Sequence, residues 1–244
     1  MGIPSELAMK RSRALHHALG LLAVFALAAC QNEDRQIESI IVKYGFARNV
    51  PPSTLHGPGI LVARENYDPS DSNPRSVQLA TLCTSRYSVD LYGFKPQPSE
   101  TESRDVASQI SGSFNIEAPA LKTLFNLAAT ARAARSAVVT VADARIYTYA
   151  RDELAEIRAL LRPGCRDTVR TNIKQGNAHQ VVKVLEATVE LKISFDAAVS
   201  ASVKAKAMSE LVNAGFEIGP ASDSLTTRGK ALYYGVGLIP ITQI

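Results

Sequence analysis

The sequence predicts a single α+β domain, in which a mostly antiparallel or mixed sheet with long amphipathic strands is accompanied by three to four short-to-medium helices. The main observation is the segment Ala187–Ala207, where every odd position is apolar and every even position except Ala198 is polar. Alternation with a period of two places the apolar side chains on one face of a strand. The second observation is a set of shorter segments with apolar residues three and four positions apart, which is typical of amphipathic helices.

The alternating segment is too long for one ordinary strand. At about 3.3 Å per residue it would extend roughly 70 Å, whereas most strands have about five or six residues. We therefore expect a strand to about Val203, followed by a helix over 207–214 that ends at Gly215. Ala and Lys favour a helix in the second half, and Asp196 is a suitable N-cap. The residues themselves leave open whether Ala197–Ala207 is strand or helix.

Turn residues and local periodicity predict the elements of the first half. Extended segments are expected to alternate with Pro-rich or polar loops. The strands are placed at Ser39–Tyr44, Ile60–Arg64 and, with a break, Val77–Leu91, and the exposed loops at Val50–Gly59, Asn66–Arg75 and Lys95–Ser103. A further half-buried strand is expected at Val106–Ile116, where apolar and small polar residues alternate.

The second half contains the expected helices. Proline in a first turn, aspartate as an N-cap and glycine after the last turn mark their ends. Helices are predicted over 119–131, 152–161 and 165–175, and strands over Val138–Thr148 and Leu232–Ile241.

A short apolar stretch near the start of the chain ends in a cysteine. Lys10, Arg11 and Arg13 precede the apolar residues Ala18–Ala29, and the stretch closes with Leu27-Ala28-Ala29-Cys30. It is too short to span a bilayer, which takes about 20 apolar residues in a helix. A basic region, an apolar region and small residues before a cleavage point are typical of a secretory signal. With the cysteine, the segment resembles the signal peptide and lipobox of a bacterial lipoprotein.

The resemblance implies that the chain is cleaved between Ala29 and Cys30, and that Cys30 carries diacylglycerol and an amide-linked acyl chain such as palmitate. Two or three acyl chains anchor a protein durably, whereas one binds only marginally. Residues 1–29 are then the signal peptide, with Met9 as an alternative start, 30–37 a lipidated tether and 38–244 the domain. Gln31 stands where aspartate would mark retention in the inner membrane, so the outer membrane is favoured in a Gram-negative cell.

Composition restricts the partners of the mature chain. The 244 residues include 27 Lys and Arg and 23 Asp and Glu, a net charge of +4. Residues 1–29 hold three of the basic residues and Glu6, so their removal leaves 24 basic and 22 acidic residues, or +2. Such a small excess gives no reason to expect a nucleic acid partner. The expected partners are the membrane, through the lipid on Cys30, and a protein of the envelope.

Once Cys30 is acylated, Cys83 and Cys165 are the two remaining cysteines. In the oxidising periplasm that the resemblance implies, they most simply form a disulfide, and two separate buried thiols are the alternative. The cysteines and the mature histidines, His56 and His179, stand at no metal-ligand spacing, so neither a metal nor another cofactor is expected.

Three functions remain as hypotheses for the mature domain. We interpret the protein first as a non-enzymatic lipoprotein with a protein-binding or assembly role, because no catalytic motif is present. The alternative is a membrane-active or pore-forming protein, since a transmembrane β-strand needs about 9–11 residues of alternating pattern. The third is a hydrolase that uses His56 or His179, because a catalytic triad is assembled in space rather than in sequence.

Overall fold

A computed structural model describes residues 33–65, 75–83, 94–218 and 224–244 of the chain. Within these ranges the chain forms seven helices and ten strands. The helices are α1 (Glu33–Lys43), α2 (Glu100–Ile110), α3 (Ala118–Phe125), α4 (Ala128–Ala133), α5 (Arg151–Ala159), α6 (Pro163–Lys174) and α7 (Ala201–Asn213). The strands are β1 (Ala47–Ser53), β2 (Leu61–Arg64), β3 (Ser76–Val77), β4 (Leu79–Thr81), β5 (Gln97–Pro98), β6 (Gly112–Ile116), β7 (Ala134–Thr148), β8 (His179–Phe195), β9 (Glu217–Ile218) and β10 (Ser224–Pro240).

Three long antiparallel strands form the centre of the single mixed sheet. Strand β8, of 17 residues, pairs with β7, of 15, and with β10, of 17. Short strands extend both edges: β5 and β6 pair with β7, and β1 and β9 pair with β10. Strand β2 joins the first residues of β8, and β3 runs parallel to β1. The predicted α+β domain with long strands is confirmed, with more helices than the three to four expected.

The pairing along β8 has five register breaks, and two of them lie at one level and divide the sheet into two ends. In β7 the pairing with β8 shifts between Ala142 and Arg145, and in β10 it shifts between Gly229 and Leu232. Both breaks lie opposite residues 186–189 of β8. Because a bulge bends its strand and increases the local twist, two bulges at one level turn the sheet there. The two ends are covered by different helices.

The main core lies where the later part of β8 meets a layer of helices. Ala187, Val189, Leu191 and Ile193 of β8 are buried, while Glu190 and Lys192 between them are exposed. The buried row belongs to one apolar cluster with side chains of four helices, namely Ile37, Ile40 and Ile41 of α1, Val106 and Ile110 of α2, Leu121, Leu124 and Phe125 of α3, and Leu211 of α7. Alternation in the strand thus corresponds to one face under helices and one face in solvent.

A smaller core at the other end of the sheet carries the disulfide. Cys83, just after β4, is bonded to Cys165 of α6, with their Cα atoms 5.5 Å apart. Both cysteines pack against a cluster that includes Leu61, Val169 and Ile241. The predicted Cys83–Cys165 pairing is therefore confirmed, and it fastens α6 to the sheet.

The first predicted strand, Ser39–Tyr44, is wrong. These residues lie in and just after α1, because Ile37, Ile40 and Ile41 are three and four positions apart and reach the core together. The helix begins at Glu33, within the segment 30–37. Cys30, Ala29 and Gln31 lie outside the described residues.

Two further predictions in the first half are wrong for a related reason. The expected loop Lys95–Ser103 contains β5 and the start of α2, and the expected strand Val106–Ile116 is the end of α2 followed by β6. Val106 and Ile110 fit a period of two, but they are also one helical turn apart, and both are buried on the same face of α2. The expected Pro-rich loop begins within β1, whose pairing with β10 breaks between Arg48 and Ser53.

The later predictions are closer to the structure. Strands are confirmed near 60–64, 138–148 and 232–241, and helices near 152–161 and 165–175. The expected helix 119–131 is two helices, since Asn126 adopts a left-handed conformation with φ 59° and ends α3. The strand expected to reach about Val203 is wrong in its end, since β8 stops at Phe195 and the helix expected from about residue 207 begins at Ala201, so most of Ala197–Ala207 is helical. For Val77–Leu91, β3 and β4 are extended, and residues 84–91 lie outside the described ranges.

Candidate functional site

A groove between β1 and the end of α7 is the first candidate functional site. Its volume is about 550 Å³, within the usual range for ligand sites. The lining, which we call the β1–α7 groove, consists of residues 49–56, Glu65, Gln78, Leu79, Thr81 and residues 213–215. A second depression of about 380 Å³ shares Pro51, Asn213 and Ala214 with it and continues along α7. Together they form an extended rather than a compact site.

The floor of the groove carries two buried polar side chains. Asn49 donates from Nδ2 to the backbone oxygen of Tyr233 at 3.0 Å, and its Oδ1 has no hydrogen-bond partner among the described residues. The Nδ1 of His56 is likewise buried and unpaired within the described part of the chain. Burial lowers the pKa of His56, so its imidazole is neutral at pH 7. These two unpaired atoms carry no fixed charge and lie beneath the groove surface, with almost no area exposed to it.

The rim of the groove is apolar at one position. The side chain of Leu55 is 56% exposed, although it belongs to a residue type that is usually buried. The local backbone holds it there, since the Leu55 N–H donates to Ser53 Oγ at 2.9 Å. An exposed leucine beside buried polar groups suits a partner that has both apolar and polar groups.

A carboxylate fixes the helical wall beside the groove. Glu210 of α7 accepts hydrogen bonds from the N–H groups of Ala129, at 3.0 Å, and Thr130, at 2.8 Å, and from the Thr130 hydroxyl at 3.0 Å. These donors lie in the first turn of α4, whose N-cap residue, Leu127, provides no side-chain acceptor. Glu210 therefore caps α4 from another helix, and this holds α4 and α7 together.

The two histidines proposed for a hydrolase occupy different environments. His56 lines the groove, whereas His179 is the first residue of β8 and pairs with Val62 of β2. Burial is the main cause that lowers the pKa of His179, and the neighbouring Arg64 guanidinium lowers it further. Burial thus favours the neutral form of both imidazoles, which is ordinary for a buried histidine.

Potential metal ligands are not grouped into a site in the described part of the chain. Across residues 33–65, 75–83, 94–218 and 224–244, no group of three His, Cys, Asp or Glu side chains is arranged to hold an ion. Over the same ranges, no helix is both long and apolar enough to cross a bilayer.

The long strands form the second candidate surface. Across β7, β8 and β10 the exposed faces align Thr140, Glu190 and Arg228 in one row, since Glu190 pairs with both of the others. The opposite faces are apolar and lie under the helices. Each of the three strands is longer than the 9–11 residues that cross a membrane in a β-structure.

Sequence analysis did not identify Asn49 or Glu210 as site residues. Asn49 stands next to Val50-Pro51-Pro52, and these prolines were the one local signal that the backbone beside Asn49 departs from a regular strand. Glu210 has no sequence signal, because its partners are about 80 residues away.

Comparison with known proteins gives limited information. No protein-family model matches the chain, and no curated protein matches it. Among solved structures, the chain is similar to a bacterial gasdermin from Bradyrhizobium tropiciagri, with 12% sequence identity and a TM-score of 0.38. The similarity covers 86% of this chain and 87% of that one. At this level it assigns no function to the chain.

Proposed function

We propose that the protein is a lipid-anchored, non-enzymatic component of the bacterial envelope that binds a segment of another envelope protein in the β1–α7 groove. The observation that carries this proposal is the groove itself, with its exposed Leu55 and its proline-lined wall. Backbone N–H and C=O groups of an extended peptide match the exposed polar lining residues Thr54, Thr81 and Asn213, and an apolar side chain matches Leu55 on the rim.

The walls of the groove are held by contacts that do not depend on a ligand. Asn49 is bonded to the β10 backbone, and Glu210 joins α7 to α4. A site that is held in place before binding loses less conformational entropy when the partner arrives. This favours recognition by an ordered surface rather than by a segment that folds on binding.

Photo-crosslinking in cells tests the groove. A benzophenone amino acid at Leu55 should form a covalent adduct with one envelope protein, and Asn213→Arg, which places a bulky cation in the groove, should abolish it. The matched control is the same photo-crosslinker at Val203, which is exposed on α7 but does not line the groove. Equal adducts at both positions, or none at Leu55, would contradict the proposal.

The anchor in this proposal is lipid on Cys30, exposed by cleavage after Ala29. The supporting observations are the basic residues, the short apolar stretch and the lipobox cysteine. Gln31 favours the outer membrane, on either its periplasmic or its surface face. Cys30→Ser should abolish labelling by an alkyne-tagged fatty acid and leave an uncleaved precursor. Normal processing of that variant would refute the anchor, while the groove would remain testable by crosslinking.

A membrane-active protein is the second candidate, and the three neighbouring long strands favour it. Each has one apolar and one polar face over part of its length, which is the pattern that a bilayer-spanning strand requires. In the structure the apolar faces are covered by helices, so insertion would need those helices to leave. Release of a trapped dye from vesicles at micromolar protein would support this candidate, and full retention would exclude it.

A further inference from the structure

We propose that one face of α6 is a docking surface for anionic phospholipid headgroups. Arg162, the N-cap residue of α6, and Arg166, Arg170 and Lys174 within the helix recur at intervals of four residues, and we call this set the basic stripe. The inference rests on the proposed lipid anchor, because it supposes that the domain works next to a bilayer.

The charge of this region differs from that of the rest of the chain. Residues 158–174 contain five basic residues and one acidic residue, a local excess of +4. The mature chain as a whole carries +2, so the remainder is net negative. A concentration of one sign on one element is the usual signature of an electrostatic interaction surface.

Helix geometry brings the charges into one row. Residues four apart lie on the same face of a helix, and from Arg162 to Lys174 the row extends about 18 Å at 1.5 Å per residue. The neighbouring face of α6 carries Cys165, Val169 and Ile173, which pack against the smaller core. Because that face is buried and Cys165 is bonded to Cys83, α6 cannot turn the basic stripe inward.

For Arg166 and Arg170, internal partners neutralise little of the charge. Asp167 is the one acidic residue on α6, and its Oδ1 lies 3.3 Å from Arg170 Nη1. Their side chains are 74% and 56% exposed, so this ion pair is weak and is readily exchanged for another anion. Arg166 donates to the backbone oxygen of Ala159, which satisfies one N–H and leaves its charge in place.

The surface around the stripe favours a bilayer over a protein partner. Gly164, Thr168 and Thr171 are exposed beside it, and both threonine hydroxyls donate to backbone oxygens of their own helix. Protein interfaces usually depend on large anchors in pockets, whereas this helix face presents charge and small side chains. A plane of phosphate groups requires only charge, and each Lys or Arg near such a surface strengthens binding about fivefold.

Vesicle sedimentation tests the inference. The protein used is residues 30–244, which include every described residue, and it carries Cys30→Ser so that no acyl chain is attached. Vesicles of phosphatidylcholine with 30% phosphatidylglycerol should bind this protein, and 0.5 M salt should release it. Arg166→Gln/Arg170→Gln/Lys174→Gln should weaken binding roughly 100-fold, at about fivefold per charge. Arg170→Gln/Lys174→Gln leaves the Arg166 bond intact and should weaken binding about 25-fold, which guards against misfolding of the triple variant.

The matched control is Lys122→Gln/Lys192→Gln/Arg228→Gln, which removes three exposed charges outside α6. The decrease in the free energy of vesicle binding, relative to the parent protein, should be less than half as large in this control as in Arg166→Gln/Arg170→Gln/Lys174→Gln. Equal binding to neutral and anionic vesicles, or equal losses in both triple variants, would overturn the proposal. Capture of an acidic protein by the stripe without vesicle binding would also overturn it. None of these results bears on acylation of Cys30, which fatty-acid labelling tests separately.

Discussion

Replacing Glu210 with glutamine should destabilise the domain well beyond an ordinary surface substitution. The carboxylate accepts three hydrogen bonds from the first turn of α4, at 2.8–3.0 Å. A glutamine amide has the same shape, but its NH2 group would face N–H and O–H donors. Hydrogen bonds to a charged group contribute about 1.5–3 kcal/mol each, and the amide retains part of them. We therefore expect a loss of about 2–3 kcal/mol in the free energy of unfolding.

Urea denaturation of residues 30–244 measures this loss. With a slope of about 2–3 kcal/mol per M, the midpoint should fall by about 1 M. Glu190→Gln, on the exposed face of β8, is the control and should change the free energy of unfolding by less than about 0.5 kcal/mol.

A double-mutant cycle with Thr130→Val isolates the shared bond. Thr130 is fully buried, and its hydroxyl reaches both Glu210 and the Ala207 oxygen. We expect a coupling energy of about 1 kcal/mol or more between the two substitutions. A Glu210→Gln effect no larger than that of Glu190→Gln, or strictly additive effects in the cycle, would refute the capping role of Glu210.

Three further predictions concern other parts of the fold. Replacing Cys83 and Cys165 with serine should cost about 4–5 kcal/mol in the free energy of unfolding, since the bond closes a loop of roughly 80 residues; a urea midpoint equal to that of the oxidised protein would contradict this. The buried Tyr234 hydroxyl has no partner among the described residues, and burial raises its pKa. Tyr234→Phe should therefore raise the melting temperature. Tyr149→Phe should lower the melting temperature, because it removes a 3.0 Å hydrogen bond to the backbone oxygen of Phe94. Burial lowers the pKa of His56 in the folded state, so the unfolded chain takes up a proton at higher pH than the folded protein, and the free energy of unfolding decreases as pH falls through about 6.5. His56→Gln should reduce the fall of the urea midpoint between pH 7 and pH 5. An unchanged dependence of the midpoint on pH would exclude His56 as its source.

Some elements followed directly from local patterns, and others did not. The alternation over Ala187–Ala207 predicted a long strand to about Val203 with one buried face, and β8 has that face but ends at Phe195. The pattern at Val106 and Ile110 fitted both a strand and a helix, and their burial on one face of α2 decided for the helix. Ser39–Tyr44 is rich in β-branched residues, yet it is helical because Ile37, Ile40 and Ile41 complete one apolar stripe against the sheet.

The candidate site was less accessible to sequence reasoning than the fold. Its parts come from β1, from the segment around β4 and from the end of α7, which are far apart along the chain. His56 was noted as a histidine in a turn, but no local pattern indicated that Asn49 would share a groove with it. The proposed acylation site at Cys30 was the opposite case, since its signal lies in adjacent residues and depends on no tertiary contact.

The sequence by itself determined the long amphipathic strands and the pairing of two cysteines. Periodicity, residue counts and spacing within one helix are local quantities, so they can be read without knowing which elements meet. Only the tertiary structure decided that α1 is a helix, that the bulges of β7 and β10 face the same part of β8, and that Glu210 caps α4. The physical reason is that these features are stabilised by contacts between residues distant in sequence. The intrinsic helix or strand preference of the local residues is too weak to override those contacts.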